Sequence, residues 1–168
     1  MTALELMVTY AGADLSRDIR RNYPSLGLRA GALPFRLGRE AEMEFLLVRR
    51  RNHCFWSLPK GRLMPPMGLH EVASIEAYEE AGAVGEIRTV ALGSYLHSKT
   101  PKIAGTRPEV VEVVVFPLEV DSLDANWPEM DNRERRWFPH HRAVEMVGPG
   151  QLRDLLTEFA EECVLEVG

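Results

Sequence analysis

The stretch Leu58-Pro59-Lys60-Gly61-Arg62, followed after a Pro- and Gly-rich connection by His70-Glu71-Val72-Ala73-Ser74-Ile75-Glu76-Ala77-Tyr78-Glu79-Glu80-Ala81-Gly82-Ala83, decides how this chain is read. Its second half predicts a helix over 70–81, stopped at Gly82 by the left-handed conformation glycine adopts easily. Within that helix Glu76, Glu79 and Glu80 stand at i, i+3 and i+4, so their side chains leave one face as neighbours. Ala73, Ala77 and Ala81 form a separate stripe of small residues that lets the helix axis lie close to a sheet. Carboxylates ~5–6 Å apart repel by roughly 3 kcal/mol per pair at an effective dielectric near 20. A divalent cation relieves that repulsion. Oxygen ligands from one helical turn suit Mg²⁺, with Mn²⁺ the second choice, better than Zn²⁺.

Working outward, Leu28–Leu37 and Glu44–Arg51 read as two strands of a hairpin whose turn is Gly38–Glu42. The continuous run Phe45-Leu46-Leu47-Val48 fits a strand covered on both faces. Trp56–Pro59 reads as a short extended piece, and Lys60 to Leu69 as an irregular loop. Ile87–Leu96 and Val110–Val120 read as further strands, the second rich in β-branched residues. A polar link, Asp121–Asn132, leads to a short strand at Arg135–Phe138, and helical patterns at His141–Val147 and Gln151–Val164 end the chain. Leu152, Leu155, Leu156 and Phe159 make a packing face on the last helix. Residues 1–24, with a weak helical stretch Asp14–Asn22 stopped by Pro24, read as an N-terminal extension, and 25–168 as a single domain. Strands and helices mixed without strict alternation predict an α/β layered domain with a mixed sheet.

With 168 residues, 45% hydrophobic and 27% charged, the chain is long enough for one sizeable core. Its net charge of -5 argues against a general DNA binder. No apolar run approaches the ~20 residues that span a bilayer, and Met1–Tyr10 lacks the pattern of a signal peptide, so a cytoplasmic protein without membrane partners is expected. Cys54 and Cys163 are too few for a disulfide framework and have no partners at zinc spacing. Charge is uneven: residues 29–62 carry eight Lys or Arg against three acids, and residues 109–168 carry five against fourteen. The basic half is suited to receive an anion. His53, Cys54 and Ser57 are close in sequence, but nothing in their spacing pairs a nucleophile with a base.

The quoted stretch resembles the signature of the Nudix hydrolases, G-x5-E-x7-R-E-U-x-E-E-x-G-U, with U apolar. Gly61, Glu76, Ala77, Glu79, Glu80, Gly82 and Ala83 match it without a gap, whereas Met67 stands where the family has Glu and Ile75 where it has Arg. The resemblance implies an α/β/α sandwich and hydrolysis of a nucleoside diphosphate linked to another moiety, or of a similar polyphosphate. It also implies a divalent metal held by Glu76, Glu79 and Glu80 with the Gly61 carbonyl, the same acids being catalytic. Met67 and Ile75, both apolar, are expected to replace an ion pair by contact between the loop and the helix.

Ala30-Gly31-Ala32-Leu33-Pro34-Phe35, the approach from Trp56 to Gly61, and Arg136-Trp137-Phe138 look like the branch that hydrolyses diphosphoinositol and diadenosine polyphosphates. That branch gives the basic residues a use. Lys60 and Arg62 are the first candidates for phosphate contacts, followed by Arg29 and Lys99, then Arg49, Arg50, Arg51, His97 and Lys102. Glu134 is a candidate extra carboxylate near the metal. Trp137 and Phe138 are expected in the core, and His70 and Glu71 in structural roles at the helix start. The expected partner is a small-molecule polyphosphate or nucleotide. The alternative is a non-catalytic module of the same fold that binds a nucleotide, an RNA end or a protein; removal of pyrophosphate from RNA 5′ ends is disfavoured by the overall acidity.

Overall fold

A computed structural model describes residues 26–99 and 103–167, the side chains of 164–167 excepted. The expected helix at Asp14–Asn22 and the candidate Lys102 lie outside the described residues. Ten elements follow in order: β1 (Gly27–Leu37), β2 (Met43–Arg50), β3 (Lys60–Arg62), α1 (Leu69–Ala81), β4 (Ala83–Ile87), β5 (Gly93–Lys99), β6 (Glu109–Leu123), β7 (Arg133–Pro139), α2 (His140–Met146) and α3 (Gly150–Val167). No helix among the described residues is long and apolar enough to cross a membrane.

The strands form one mixed sheet with the path β4-β6-β1-β2-β7. β1 runs parallel to β6 along its length, from Gly27 opposite Val111 to Phe35 opposite Glu119. Its other edge is shared: Arg29–Gly31 pair with β3, and Phe35–Leu37 pair with β2. β6 is divided in the same way between β5 and β4. Because side chains alternate along a strand, each central strand supplies both faces. Leu33, Phe35, Phe45, Leu47, Val113 and Val115 meet Leu152, Leu156 and Phe159 of α3. Ala30, Ala32, Leu46, Val48, Val114, Phe116 and Leu118 meet Val72, Ala73, Ala77 and Ala81 of α1 on the opposite face. The domain is therefore the α/β/α sandwich, and the run Phe45–Val48 is buried throughout as a doubly covered strand should be.

Three boundaries differ from the sequence reading. Lys60–Arg62 is not loop but strand, held by Arg29–Gly31 of β1. The stretch Ile87–Leu96 is not one strand: Ile87 is the last residue of β4, which the sequence reading does not place, residues 88–92 lie outside any strand, and β5 starts at Gly93. Arg88 and Leu92 in the break still bond their N–H groups to the carbonyls of Pro117 and Val115. Gly93, at φ 153, takes a backbone form that a side chain disfavours, which marks the break. Asp121–Leu123, read as polar link, continues β6 because Ala83 and Val84 pair with Leu123 and Ser122.

Candidate active site

Helix α1 begins after Gly68, whose N–H is accepted by the Glu71 carboxylate at 2.7 Å. This is half of a capping box, and it gives Glu71 the structural role expected at a helix start. Ala73, Ala77 and Ala81 are fully buried against Ala30 and Ala32, so small residues face small residues and the helix lies close to β1. The last carbonyls of α1 are satisfied from three directions. Gly82, left-handed at φ 61, donates its N–H to Tyr78 O at 2.8 Å; the Glu129 N–H reaches Glu79 O at 3.0 Å; Arg135 Nη1 donates to Ala81 O at 2.7 Å and to Asp124 O at 2.8 Å. No basic residue lies in the helix's own last turn, so Arg135, stacked 3.8 Å over the Trp127 ring, supplies the cation that a helix C-terminus favours. The link 124–132 is thereby fastened beside the acids.

Two of the three helix acids are buried, Glu76 at 8% and Glu80 at 5% exposure. Glu76 lies over Gly61, where a Cβ would overlap its carboxylate; glycine at this position makes room for the acid. Burial raises the Glu76 pKa, with Glu79 and Glu129 adding to the rise and Arg133 and Lys60 opposing it. Glu80 Oε1 accepts from Arg133 Nη2 at 2.6 Å, and Arg133 Nε also bonds Glu129. Despite that partner, burial lifts the Glu80 pKa to about 7. Its second oxygen, Oε2, is buried with no hydrogen-bond partner among the described residues. Lys60 Nζ lies 3.3 Å from Ser57 Oγ and 3.4 Å from Leu58 O, and burial lowers its pKa to about 8 against the attraction of Glu80.

The sequence candidates divide into groups. Lys60 feels the charges of Glu80, Arg133, Arg50 and Lys99, and His97 feels those of Lys60 and Lys99. Four candidates, Lys60, Arg50, Lys99 and His97, thus share one electrostatic neighbourhood with the acids. Burial, ahead of the two lysines, lowers the His97 pKa to about 4, so at neutral pH it offers a hydrogen bond and not a charge. Arg62 is exposed and stands in register opposite Arg29, itself 3.9 Å from Glu109.

Arg49 and Arg51 are turned to β7 and its link. Arg49 Nε bonds Glu134 at 2.6 Å and its guanidinium covers the Trp56 ring at 4.6 Å, while Arg51 donates to the carbonyls of Asp131 and Met130. Glu134 is accordingly taken up by Arg49. The acid that does bear on Glu76 and Glu80 is Glu129. Met67 is 46% exposed, and the loop residues packed on the α1-side core are Leu63 and Met64. At that exposure Met67 is not buried against the helix, and the loop is anchored on the core by Leu63 and Met64. Phe138 is buried, and Trp137 packs at the edge of the α1-side core.

Glu129 and Arg133 escaped the sequence reading. Their i,i+4 spacing lies outside any helix, at the end of a polar link, and only the docking of that link on the α1 terminus brings them to the acids.

The donor set suits a hard divalent cation: three carboxylates on one helix, one with a buried oxygen lacking a partner, beside a glycine that leaves room for the acid above it. Residues 27–159 match the NUDIX domain family. Nudix hydrolase 12, mitochondrial, of Arabidopsis thaliana is 31% identical over 156 residues, which span 85% of this chain and 77% of the relative. Nudix hydrolase 13, mitochondrial, of the same plant is 30% identical over 161 residues, 88% of this chain and 80% of the relative. Among solved structures, an Ap4A hydrolase binary complex from C. elegans shares the fold with a TM-score of 0.61 at 20% identity, covering 83% of this chain and 98% of that one. The NUDIX domain of Shewanella oneidensis NrtR, complexed with ADP ribose, does so with a TM-score of 0.57 at 18% identity, covering 94% and 98%. The chain belongs to the Nudix family of hydrolases.

Proposed function

We propose that this hydrolase cleaves a phosphoanhydride bond in a nucleoside polyphosphate, a dinucleoside polyphosphate or a diphosphoinositol polyphosphate, and that it requires a divalent metal. The observation that carries the reading is the meeting of opposite charges: Glu76, Glu79 and Glu80 below, Lys60, Arg50 and Lys99 in the same electrostatic neighbourhood. Glu76, Glu79 and Glu80 would hold Mg²⁺ or Mn²⁺, joined by the Gly61 carbonyl. Such an ion, when bound, neutralises phosphate charge and lowers the pKa of an attacking water. The chain's own residues do the rest. The basic side chains orient the phosphates, His97 donates or accepts a hydrogen bond without adding charge, and one helix carboxylate takes the proton from water as the P–O bond breaks.

The test is a hydrolysis screen over polyphosphates of increasing charge with Mg²⁺ and Mn²⁺. Glu79→Gln and Glu80→Gln are each expected to slow turnover by roughly 10²-fold or more. Wild-type rates in both variants would refute the site. Lys60→Ala is expected to raise KM more for long polyphosphates than for ADP-ribose, and the difference should shrink as salt rises. Equal effects would remove the polyphosphate preference. A second reading, a binding module without turnover, is favoured by one feature, the apolar Met67 and Ile75 at two charged signature positions. Metal and nucleotide binding without hydrolysis of any substrate would select it.

A further inference from the structure

A cluster of side chains able to hold a metal ion lies at the far end of β7 from the helix acids. Arg133, which holds Glu80, opens that strand, and His140 follows its last residue, seven positions on. At the rise of an extended strand the two ends are roughly 20 Å apart. Here His140 and His141 begin α2, and Glu42 leaves the β1–β2 turn beside them. Each of the three offers one ligand atom, and these atoms all lie within 4.8 Å of one another. His141 Nδ1 and a Glu42 oxygen are already 3.1 Å apart. The two imidazoles stand nearly perpendicular, with ring centroids 5.6 Å apart. His140 Nδ1 is buried and has no hydrogen-bond partner among the described residues, so a polar atom here has lost water without replacement.

The turn that carries Glu42 is fixed. Gly38 N–H bonds the Glu42 carbonyl at 2.7 Å, and Ala41 N–H bonds the Gly38 carbonyl at 3.1 Å, with Ala41 in the left-handed region at φ 56. β2 and β7 hold the other side: Glu44 stands opposite Pro139, the residue before His140. The three ligands are therefore brought together by neighbouring strands and need only small side-chain movements to close on one ion. The side chains of His141 and Glu42 are both accessible, so an ion reaches them directly from solvent.

We propose that Glu42, His140 and His141 form a second metal site, separate from the helix acids, that takes a borderline transition ion of the Zn²⁺ class. Two imidazole nitrogens and one carboxylate are the donors such ions prefer, whereas Mg²⁺ selects oxygen donors. Three protein ligands leave further coordination positions for water. The bound ion ties the β1–β2 turn to the start of α2, two segments otherwise joined here by the His141–Glu42 pair.

The probe is Zn²⁺ titrated calorimetrically into the full chain in millimolar Mg²⁺, which occupies the helix acids, with histidine ring resonances followed by NMR. One equivalent is expected to bind, shift the rings of His140 and His141, and raise Tm with the logarithm of free Zn²⁺ once it exceeds Kd. His141→Ala and Glu42→Gln, both at accessible side chains, should each weaken binding by at least tenfold and leave Mg²⁺-supported hydrolysis unchanged. Glu79→Gln should leave Zn²⁺ binding unchanged. His140→Ala should behave as His141→Ala does, and the two single surface changes decide the matter if it fails to fold. Unaltered Zn²⁺ affinity in His141→Ala and Glu42→Gln, loss of binding in Glu79→Gln, or no ring shifts at saturating Zn²⁺ would each overturn the proposal.

Discussion

Helices α1 and α3 cover opposite faces of one sheet with different side chains. α1 presents Ala73, Ala77 and Ala81 to β1, and α3 presents Leu152, Leu156 and Phe159 to the other face. The transfer of a full Leu or Phe from water contributes about 1.5–3 kcal/mol, and an alanine methyl a fraction of that. Cohesion is therefore concentrated under α3. What α1 gives up in buried area it gains in proximity, because only a helix lying this close to β1 can set the Glu76 carboxylate over Gly61. On the proposed function, stability and chemistry fall on different faces, and each substitution below tests that division.

The largest effect is expected under α3. Phe159 packs edge-on to Phe35 at 4.9 Å and close to Phe45 at 6.2 Å. Phe159→Ala should cost about 3–5 kcal/mol and Leu156→Ala about 2–5 kcal/mol of unfolding free energy, read from urea titrations. Activity per folded molecule should stay within about twofold of wild type, since neither side chain approaches the acids. A variant that stays fully folded yet loses turnover would break the division from the apolar side.

Gly61→Ala tests it from the other side. The added methyl meets the end of a flexible side chain, so Glu76 can move away at little cost, and β3 keeps its pairing with β1. Stability should change by less than about 1 kcal/mol, while the displaced carboxylate lowers kcat by roughly 10²-fold. An unfolded variant would mean that the close approach of α1 serves cohesion after all.

How much of this was legible in the sequence follows from what each feature depends on. The helix, its stop at Gly82, the doubly buried β2 and the grouping of the three acids rest on local periodicity, and the structure carries them at nearly the expected limits. β3 was hidden because three residues, Lys60-Gly61-Arg62, have no period of their own and become strand only beside Arg29–Gly31. β4 was missed for a similar reason: Ala83–Ile87 is short and contains Gly85, at which its pairing with β6 shifts register. Arg133 and Glu129 had no signal at all. Charge and proximity to Gly61 put Lys60 first and leave Arg49, Arg50 and Arg51 together in the last group. Only the tertiary partners separate Arg49 and Arg51, which brace β7 and its link, from Arg50, whose charge bears on Lys60.

Glu80 gives the division a pH signature. Its folded pKa, about 7, lies above the ordinary carboxylate value of 4.5 because burial disfavours the charge. The folded state therefore holds a proton that the unfolded chain has lost. The associated stability is complete below about pH 4.5 and disappears as pH rises through about 7. His97, whose folded pKa is lowered to about 4, contributes the opposite slope over much of that window. The Glu80 contribution is therefore read as the difference between two metal-free proteins: wild type should lose stability relative to Glu80→Gln as pH rises. Millimolar Mg²⁺ should restore much of it at pH 7.5. An identical pH profile in Glu80→Gln would mean that this carboxylate is not proton-bound in the metal-free fold.

The smallest effect is expected at the two positions where the signature is broken. A buried apolar pair replacing an ion pair would make Met67→Glu cost roughly 1–3 kcal/mol through desolvation without a partner. With the Met67 side chain 46% exposed, the new carboxylate keeps much of its hydration. The expected loss is then within about 0.5 kcal/mol, as for other surface changes. Ile75, half-buried on α1, is the less tolerant partner. Ile75→Arg alone should destabilise more than Met67→Glu alone, and the double variant should show less than about 0.5 kcal/mol of coupling in unfolding free energy. Larger favourable coupling would mean that the loop folds onto the helix once the charges are restored. Activity of the same proteins separates the two readings of the family site. If the double variant exceeds wild type by orders of magnitude, the natural chain is a binding module that has lost its brace. Turnover within about tenfold of wild type means that the anchoring by Leu63 and Met64, with Arg133 held on Glu80 from β7, already does for this site what the missing pair does elsewhere.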